Sequence, residues 1–248
     1  MSLRERWKRH MRVASASAMA VLLCACSTAI ADGAGTGLRG YTADGGWQYL
    51  ELGACAQTLE GGLEPIVWRV LSVEADQAYL VSEYVLANRR IHPDDQQYAL
   101  TGGDFTQTEM YAYLNGAFLD CFTAREQSAL LPDATGARVT LLSAEDLRNP
   151  ALGFSSNASR AAYGTPYAVE NGLFQYGIAH GYTSPYWTRT QSPKTRYGAY
   201  CTKAAGNLGY IRVVVQNEGC RPACTLNLKT VKMESGDGTL ARPFQLGK

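Results

Sequence analysis

Five cysteines lie beyond residue 31: Cys55, Cys121, Cys201, Cys220 and Cys224. A thiol beside a cation such as Arg221 is pulled toward its reactive thiolate, so Cys220-x-x-x-Cys224 can be read as a thiol site. In an exported domain the same residues read as structural disulfides, and that reading outweighs the first. Five is odd, so at most two bridges form and one thiol is left over. If their segment is extended, Cys220 and Cys224 share a face roughly 13 Å apart, beyond disulfide reach, so each needs a different partner. A bridge from Cys201 to Cys220 or Cys224, across neighbouring strands, is the favoured pairing.

A second set of residues suits recognition. In Tyr186-Trp187-Thr188-Arg189-Thr190, strand alternation puts Trp187 and Arg189 on one face. They are either a ligand-facing pair or a core Trp with an Arg bridged to the fold. Tyr163, Tyr167, Tyr176, Tyr182, Tyr186, Tyr197 and Tyr200 cluster in and just after a stretch rich in Ser, Asn and Gly. Such a composition supplies rigid amphipathic rings with adaptable polar neighbours, and serves equally to recognise a sugar or protein surface or to bury rings under loops. Tyr186, Trp187, Arg189, Tyr197, Tyr200 and Arg221 are the candidate ligand-binding residues.

Other signals carry little. Gly35-Thr36-Gly37-Leu38-Arg39-Gly40 has the letters of a dinucleotide fingerprint without the strand before it or the helix after it. Only His92 and His180 stand outside the N-terminal segment, with no metal-ligand spacing around either. Ile91-His92-Pro93-Asp94-Asp95 lacks the regular oxygen spacing of a calcium loop and reads as solvated. No G-x-S-x-G, H-E-x-x-H or Walker sequence occurs. No catalytic residue, metal or cofactor is therefore assigned.

The N-terminus reads as an export signal over residues 1–31. Arg4, Arg6, Lys8, Arg9 and Arg12 precede the apolar run Val13 to Ala25, and Ala29-Ile30-Ala31 offers a cleavage site. The run is too short for a permanent span. Leu23-Cys24-Ala25-Cys26 offers a second ending, in which Cys26 is lipidated and tethers the chain to a membrane face. The chain has 23 basic and 22 acidic residues, of which five and one lie in this segment, so the remainder carries 18 against 21 and a net charge of −3. That mild acidity, without a basic stripe, argues against nucleic acid as partner.

These residues need a scaffold. Residues 32–46 are Gly-rich and read as a flexible leader. Trp47 to Leu52 reads as a strand, and Ile66 to Val73 with Ala78 to Ser82 as a β-hairpin. Residues 91–105 read as loop. Met110, Leu114, Phe118 and Phe122 recur every four residues and predict one amphipathic helix over 108–122. Thr123 and Glu126 have capping-box spacing for a second helix ending before Pro132. A strand is expected at 138–142, a helical turn from Ser143, and irregular chain from 149 to 181. Four strands follow, around Trp187–Arg189, Ala199–Thr202, Tyr210–Val215 and Ala223–Leu226. The expected fold is α+β, a mainly antiparallel sheet with two or three short central helices. A single domain spans 47–230, and 231–248 form a tail.

In order along the chain, Val67-Trp68-Arg69-Val70-Leu71, Tyr79-Leu80-Val81-Ser82, Tyr113-Leu114-Asn115-Gly116-Ala117-Phe118, Leu141-Leu142-Ser143-Ala144-Glu145, Tyr186-Trp187-Thr188-Arg189-Thr190 and Gly219-Cys220-Arg221-Pro222-Ala223 resemble the outline of a bacterial family of extracytoplasmic domains of unknown function, number 6273. The last has Cys where the family has Val, which with Cys201 and Cys224 suggests a local disulfide variation. More distantly, the W-x-R…G-x-R ending is similar to C-type-lectin-like proteins of the formylglycine-generating type, which implies a binding face built from the terminal strands and the loops before them. The resemblance supplies no catalytic residue. The expectation is an extracytoplasmic, secreted or envelope-attached, non-catalytic module for a glycan or surface protein. The alternatives are a cysteine-dependent oxidase-like enzyme and a purely structural envelope domain.

Overall fold

The computed structural model describes residues 36–247, so the export signal and Cys26 lie outside the described residues. Alternating apolar and polar residues form a meander of β1 (Gln48–Ala56), β2 (Leu63–Glu74) and β3 (Gln77–Ser82). Next come β4 (Ala87–Asn88), α1 (Asp95–Leu100), α2 (Glu109–Leu114), α3 (Ala124–Ala129), β5 (Leu130–Leu131) and β6 (Val139–Leu141). α4 (Asn157–Arg160) and α5 (Pro166–Glu170) punctuate the irregular stretch. The chain then forms β7 (Trp187–Gln191), β8 (Gly198–Thr202), β9 (Leu208–Arg212), β10 (Gly219–Cys220), β11 (Pro222–Asn227), β12 (Met233–Ser235) and β13 (Phe244–Leu246).

The main sheet runs β12-β13-β1-β2-β3-β11-β5, with β6 also paired to β11. β7-β8-β9 form a second sheet and β10 pairs with β4. Among these pairs only β1–β13 is parallel. The α+β class with a mainly antiparallel sheet is therefore what the chain adopts. Strand alternation gives the main sheet two buried faces. Leu50, Leu52, Trp68, Val70, Leu80 and Leu226 pack with Met110, Leu114, Phe118 and Phe122 from the helical segment. Leu71, Val81 and Ala223 pack with Leu142 and Leu147 from the turn after β6, Phe154 and Ala168 from the irregular stretch, and Tyr186 just before β7. Each large apolar side chain buried this way contributes about 2 kcal/mol.

Several expectations are corrected. The Gly-rich leader is, from Leu38 on, part of the fold. Leu38 is fully buried, Tyr41 donates its N–H to Leu71 O at 3.1 Å, and a Cβ on Gly40 would stand 2.7 Å from the Ser72 Cα. Glycine there permits close backbone approach rather than flexibility. The tail is likewise sheet, because β13 pairs with β1 through Leu50↔Phe244 and Glu51↔Gln245.

The helix expected over 108–122 stops at Leu114. Asn115 turns its amide to Val139 O (2.9 Å), Gly116 leaves helical dihedrals, and a 3-10 turn over Ala117–Cys121 carries Phe118 back to the core. The segment read as loop over 91–105 contains α1, capped by Asp94, whose side chain accepts from the amides of Gln96 and Gln97. β9 begins at Leu208 and ends at Arg212, earlier than the Val-rich run suggested. The Thr123–Glu126 capping box forms, with the Thr123 N–H donating to Glu126 Oε2 at 2.7 Å.

Candidate functional site

The W-x-R-T strand joins separate parts of the molecule. Trp187 is fully buried and donates its indole N–H to Arg89 O at 2.8 Å. Thr188 bonds Tyr200 O at 3.1 Å, and the Thr190 hydroxyl accepts from the Ala144 amide at 2.9 Å. Arg189 is the member of the motif that reaches a surface cavity, at the β11 edge where β5 and β6 share one strand.

That groove encloses about 270 Å³ and is lined in part by Tyr79, Arg138, Thr140, Asp146, Arg189 and Thr225. Its polar centre is built by the turn after β6. Ser143 and Asp146 bond reciprocally, with the Ser143 amide donating to Asp146 Oδ2 at 2.7 Å and the Asp146 amide donating to Ser143 Oγ at 2.9 Å. The same carboxylate accepts from the Tyr79 hydroxyl at 3.1 Å and pairs with Arg189 Nη2 at 3.4 Å. Arg189 also donates to Leu141 O. Opposite, Asp133 folds the 132–138 loop by accepting from Thr135 and the Ala137 amide. Arg138 stands exposed beside it, with no ion-pair partner among the described residues.

The arrangement suits binding rather than proton or group transfer. Burial, and next the Asp146 charge, push the Tyr79 phenol well above its ordinary range, so it remains a neutral hydroxyl. Burial likewise pushes the Cys224 thiol up, keeping it protonated. What the groove offers is a fork of N–H donors from Arg138, the edge of the Arg189–Asp146 pair, and the hydroxyls of Tyr79, Thr140 and Thr225.

Other candidates fall elsewhere. Tyr186 and Arg221 are each 1% exposed, so the expectation that they meet a ligand is corrected: they are core. The Tyr186 hydroxyl donates to Arg160 O at 2.7 Å and accepts from Arg221 Nη1 at 3.1 Å, while Arg221 Nε donates to Ser82 O at 2.8 Å. Of the two readings of Trp187 and Arg189, the ligand-facing one is corrected for Trp187 and the core one holds: its ring belongs to the buried core while Arg189 is bridged to Asp146. Tyr197 is half-buried and its hydroxyl accepts from Arg196 at 2.7 Å. Tyr200 is half-buried in the small sheet, with the Arg148 guanidinium 4.9 Å from its ring centre and Tyr210 edge-on at 6.4 Å.

All five described cysteines are free thiols. The pairing favoured from sequence is not made: Cys201 sits in β8, flanked by β7 and β9, and Cys220 and Cys224 sit in β10 and β11, each as a thiol. Burial raises the thiols of Cys201 and Cys220 to about 12.

Sequence reasoning missed Tyr79, Arg138 and Asp146. They come from separate segments that only the β3–β11–β6 pairing brings together. The Ser143-x-x-Asp146 spacing signalled a turn but not what its carboxylate would hold. No protein family, curated protein or solved structure matches this chain.

Proposed function

We propose that this is an extracytoplasmic, secreted or envelope-attached module that binds a glycan or surface protein without transforming it, using the groove at the β11 edge. The supporting observation is the convergence of the uncommitted Arg138 guanidinium with the Tyr79–Asp146–Arg189 cluster in one open cavity. Its volume lies just under the usual range for small-molecule sites and suits one sugar ring or a short acidic segment. Planar donors, fixed carboxylates and hydroxyls are the groups that pair with sugar hydroxyls and carboxylates. The resemblance to extracytoplasmic domains of family 6273, and more distantly to C-type-lectin-like proteins, supports the same reading by analogy. So do the basic, then apolar, then small-residue order at the N-terminus and the Cys26 alternative to cleavage.

The test is saturable binding of the purified chain to a glycan panel and to cell-wall fragments, repeated with Arg138→Ala and Tyr79→Phe. Loss of one charge-assisted contact is expected to weaken binding by about tenfold in Arg138→Ala, with an unchanged melting curve. Binding that ignores both substitutions would remove the groove from the proposal. A folded chain that binds no glycan or wall fragment would leave only the surface-protein reading.

A further inference from the structure

Cys55 and Cys121, distant in sequence, lie together where β1 packs against the 3-10 turn after α2, close enough for their thiols to interact. Cys55 is in β1 just after its bulge, and Cys121 ends the 3-10 turn that follows α2. The local backbone is fitted to this approach. Gly53 has φ +72°, its amide donates to Glu126 Oε1 at 3.0 Å, and a Cβ on it would stand 2.9 Å from the Cys121 carbonyl oxygen. Only glycine is comfortable in that conformation at that distance.

The two thiols differ in access. Cys55 is 9% exposed and Cys121 is half-buried, whereas Cys201, Cys220 and Cys224 are each at most 2% exposed. The interaction between the two thiols lowers the Cys121 thiol below its ordinary range and raises that of Cys55. Cys121 is thus the reachable nucleophile and Cys55 its resolving partner.

We propose that Cys55 and Cys121 are a disulfide-forming pair that staples β1 to the helical segment, and that Cys201, Cys220 and Cys224 remain thiols. The odd number of cysteines beyond residue 31 is then accounted for by one bridge and three core side chains. With a low-molecular-weight disulfide as oxidant, the Cys121 thiolate attacks one sulfur of the reagent and expels the other half as a thiolate. The Cys55 thiol gives up its proton and attacks the Cys121 sulfur of the mixed disulfide, releasing the second half. The protein loses two electrons and two protons, and the reagent is reduced to two thiols. The bridge closes the loop holding β2, β3, β4, α1 and α2, and it stands whether or not the groove binds a glycan.

The test is peptide mapping of the full chain after incubation with oxidised glutathione, alkylation and non-reducing tryptic digestion. Arg69 and Arg90 lie between the two cysteines and put them in separate peptides. The expected product is a linked peptide pair containing Cys55 and Cys121, with Cys201, Cys220 and Cys224 alkylated only after denaturation. Reductant should then lower the melting temperature of the oxidised wild type by about 10 °C and leave a Cys55→Ser/Cys121→Ser variant unmoved. If that variant does not fold, the mapping on the native chain decides alone. Recovery of Cys55 and Cys121 each singly alkylated, or of Cys55 joined to Cys220, overturns the assignment.

Discussion

On the face covered by the helical segment, the main sheet buries Trp68, Phe118, Phe122 and aliphatic side chains. On the face covered by the irregular stretch, it buries two guanidiniums, Arg69 and Arg221, at 5% and 1% exposure. The difference follows from what covers each face. The short helix and 3-10 turn close part of their carbonyls by backbone bonds and leave the rest to Asn115 and Gln127 beside them, so the side that meets the sheet can be apolar. Irregular chain leaves carbonyls pointing inward, and each needs a donor. Arginine, with five N–H groups, supplies several at once. Arg69 bonds Ser159 O at 3.2 Å while gripping Glu83 through two contacts of 2.8 Å and lying 4.0 Å over the Trp47 ring. Arg160 holds the carbonyls of Gly206, Leu147 and Phe154 from within the stretch itself. One face is held by area and the other by a network of donors.

That contrast can be broken most severely at Arg69. Arg69→Ala leaves Glu83 without its cation and the Ser159 carbonyl without a donor, and is expected to cost about 4 kcal/mol in denaturant unfolding. A cost under about 1 kcal/mol would mean that water replaces the network. Next is Arg221→Lys, which keeps the charge but loses the fork that serves both Ser82 O and Tyr186. It is expected to cost about 2 kcal/mol by the same measurement. On the helix-covered face the comparable conservative change, Phe118→Leu, is expected to cost about 1 kcal/mol, since an apolar contact tolerates repacking. If the two conservative changes cost the same, the distinction between the faces fails.

A pH titration sharpens the same point at Glu218. Its Oε1 pairs with Lys203 at 3.4 Å, while its Oε2 is buried with no partner among the described residues. Burial is the main cause raising this carboxyl above its ordinary 4.5, partly offset by Lys203. A raised carboxyl is more easily protonated folded than unfolded, so stability declines as pH rises from about 4.5 through the folded value. Glu218→Gln is expected to flatten that decline, the smallest of these effects, when melting curves are compared across the acid range. An unchanged slope would show that another group carries it.

The two faces also differ in how far the sequence revealed them. The β2–β3 hairpin and the Thr123 capping box were legible, because alternation and i, i+3 spacing are local. Phe118 and Phe122 kept helical spacing although the chain between Leu114 and Phe118 is bent, so their burial was legible and their helix was not. α1 escaped notice because it buries only Asp95 and Tyr98, too few for a period. On the other face, Arg221 has the composition of a surface residue, and nothing local shows that Ser82 O and Tyr186 wait for it. The groove was hidden for a related reason. Tyr79 reads as one more strand residue, and Arg138 sits in a polar loop until β11 pairs with β3 and β6.

The parallel pairing of β13 with β1 has a consequence for the order in which the sheet is built. β1 is among the first strands to emerge during synthesis, yet the neighbour that covers its free edge lies almost two hundred residues further on. Until Phe244–Leu246 arrive, β1 presents unpaired amides and carbonyls to any extended chain nearby. A chain that stops short of Phe244 is therefore expected to be prone to strand exchange with its own kind along β1, an edge that β13 covers once it is made.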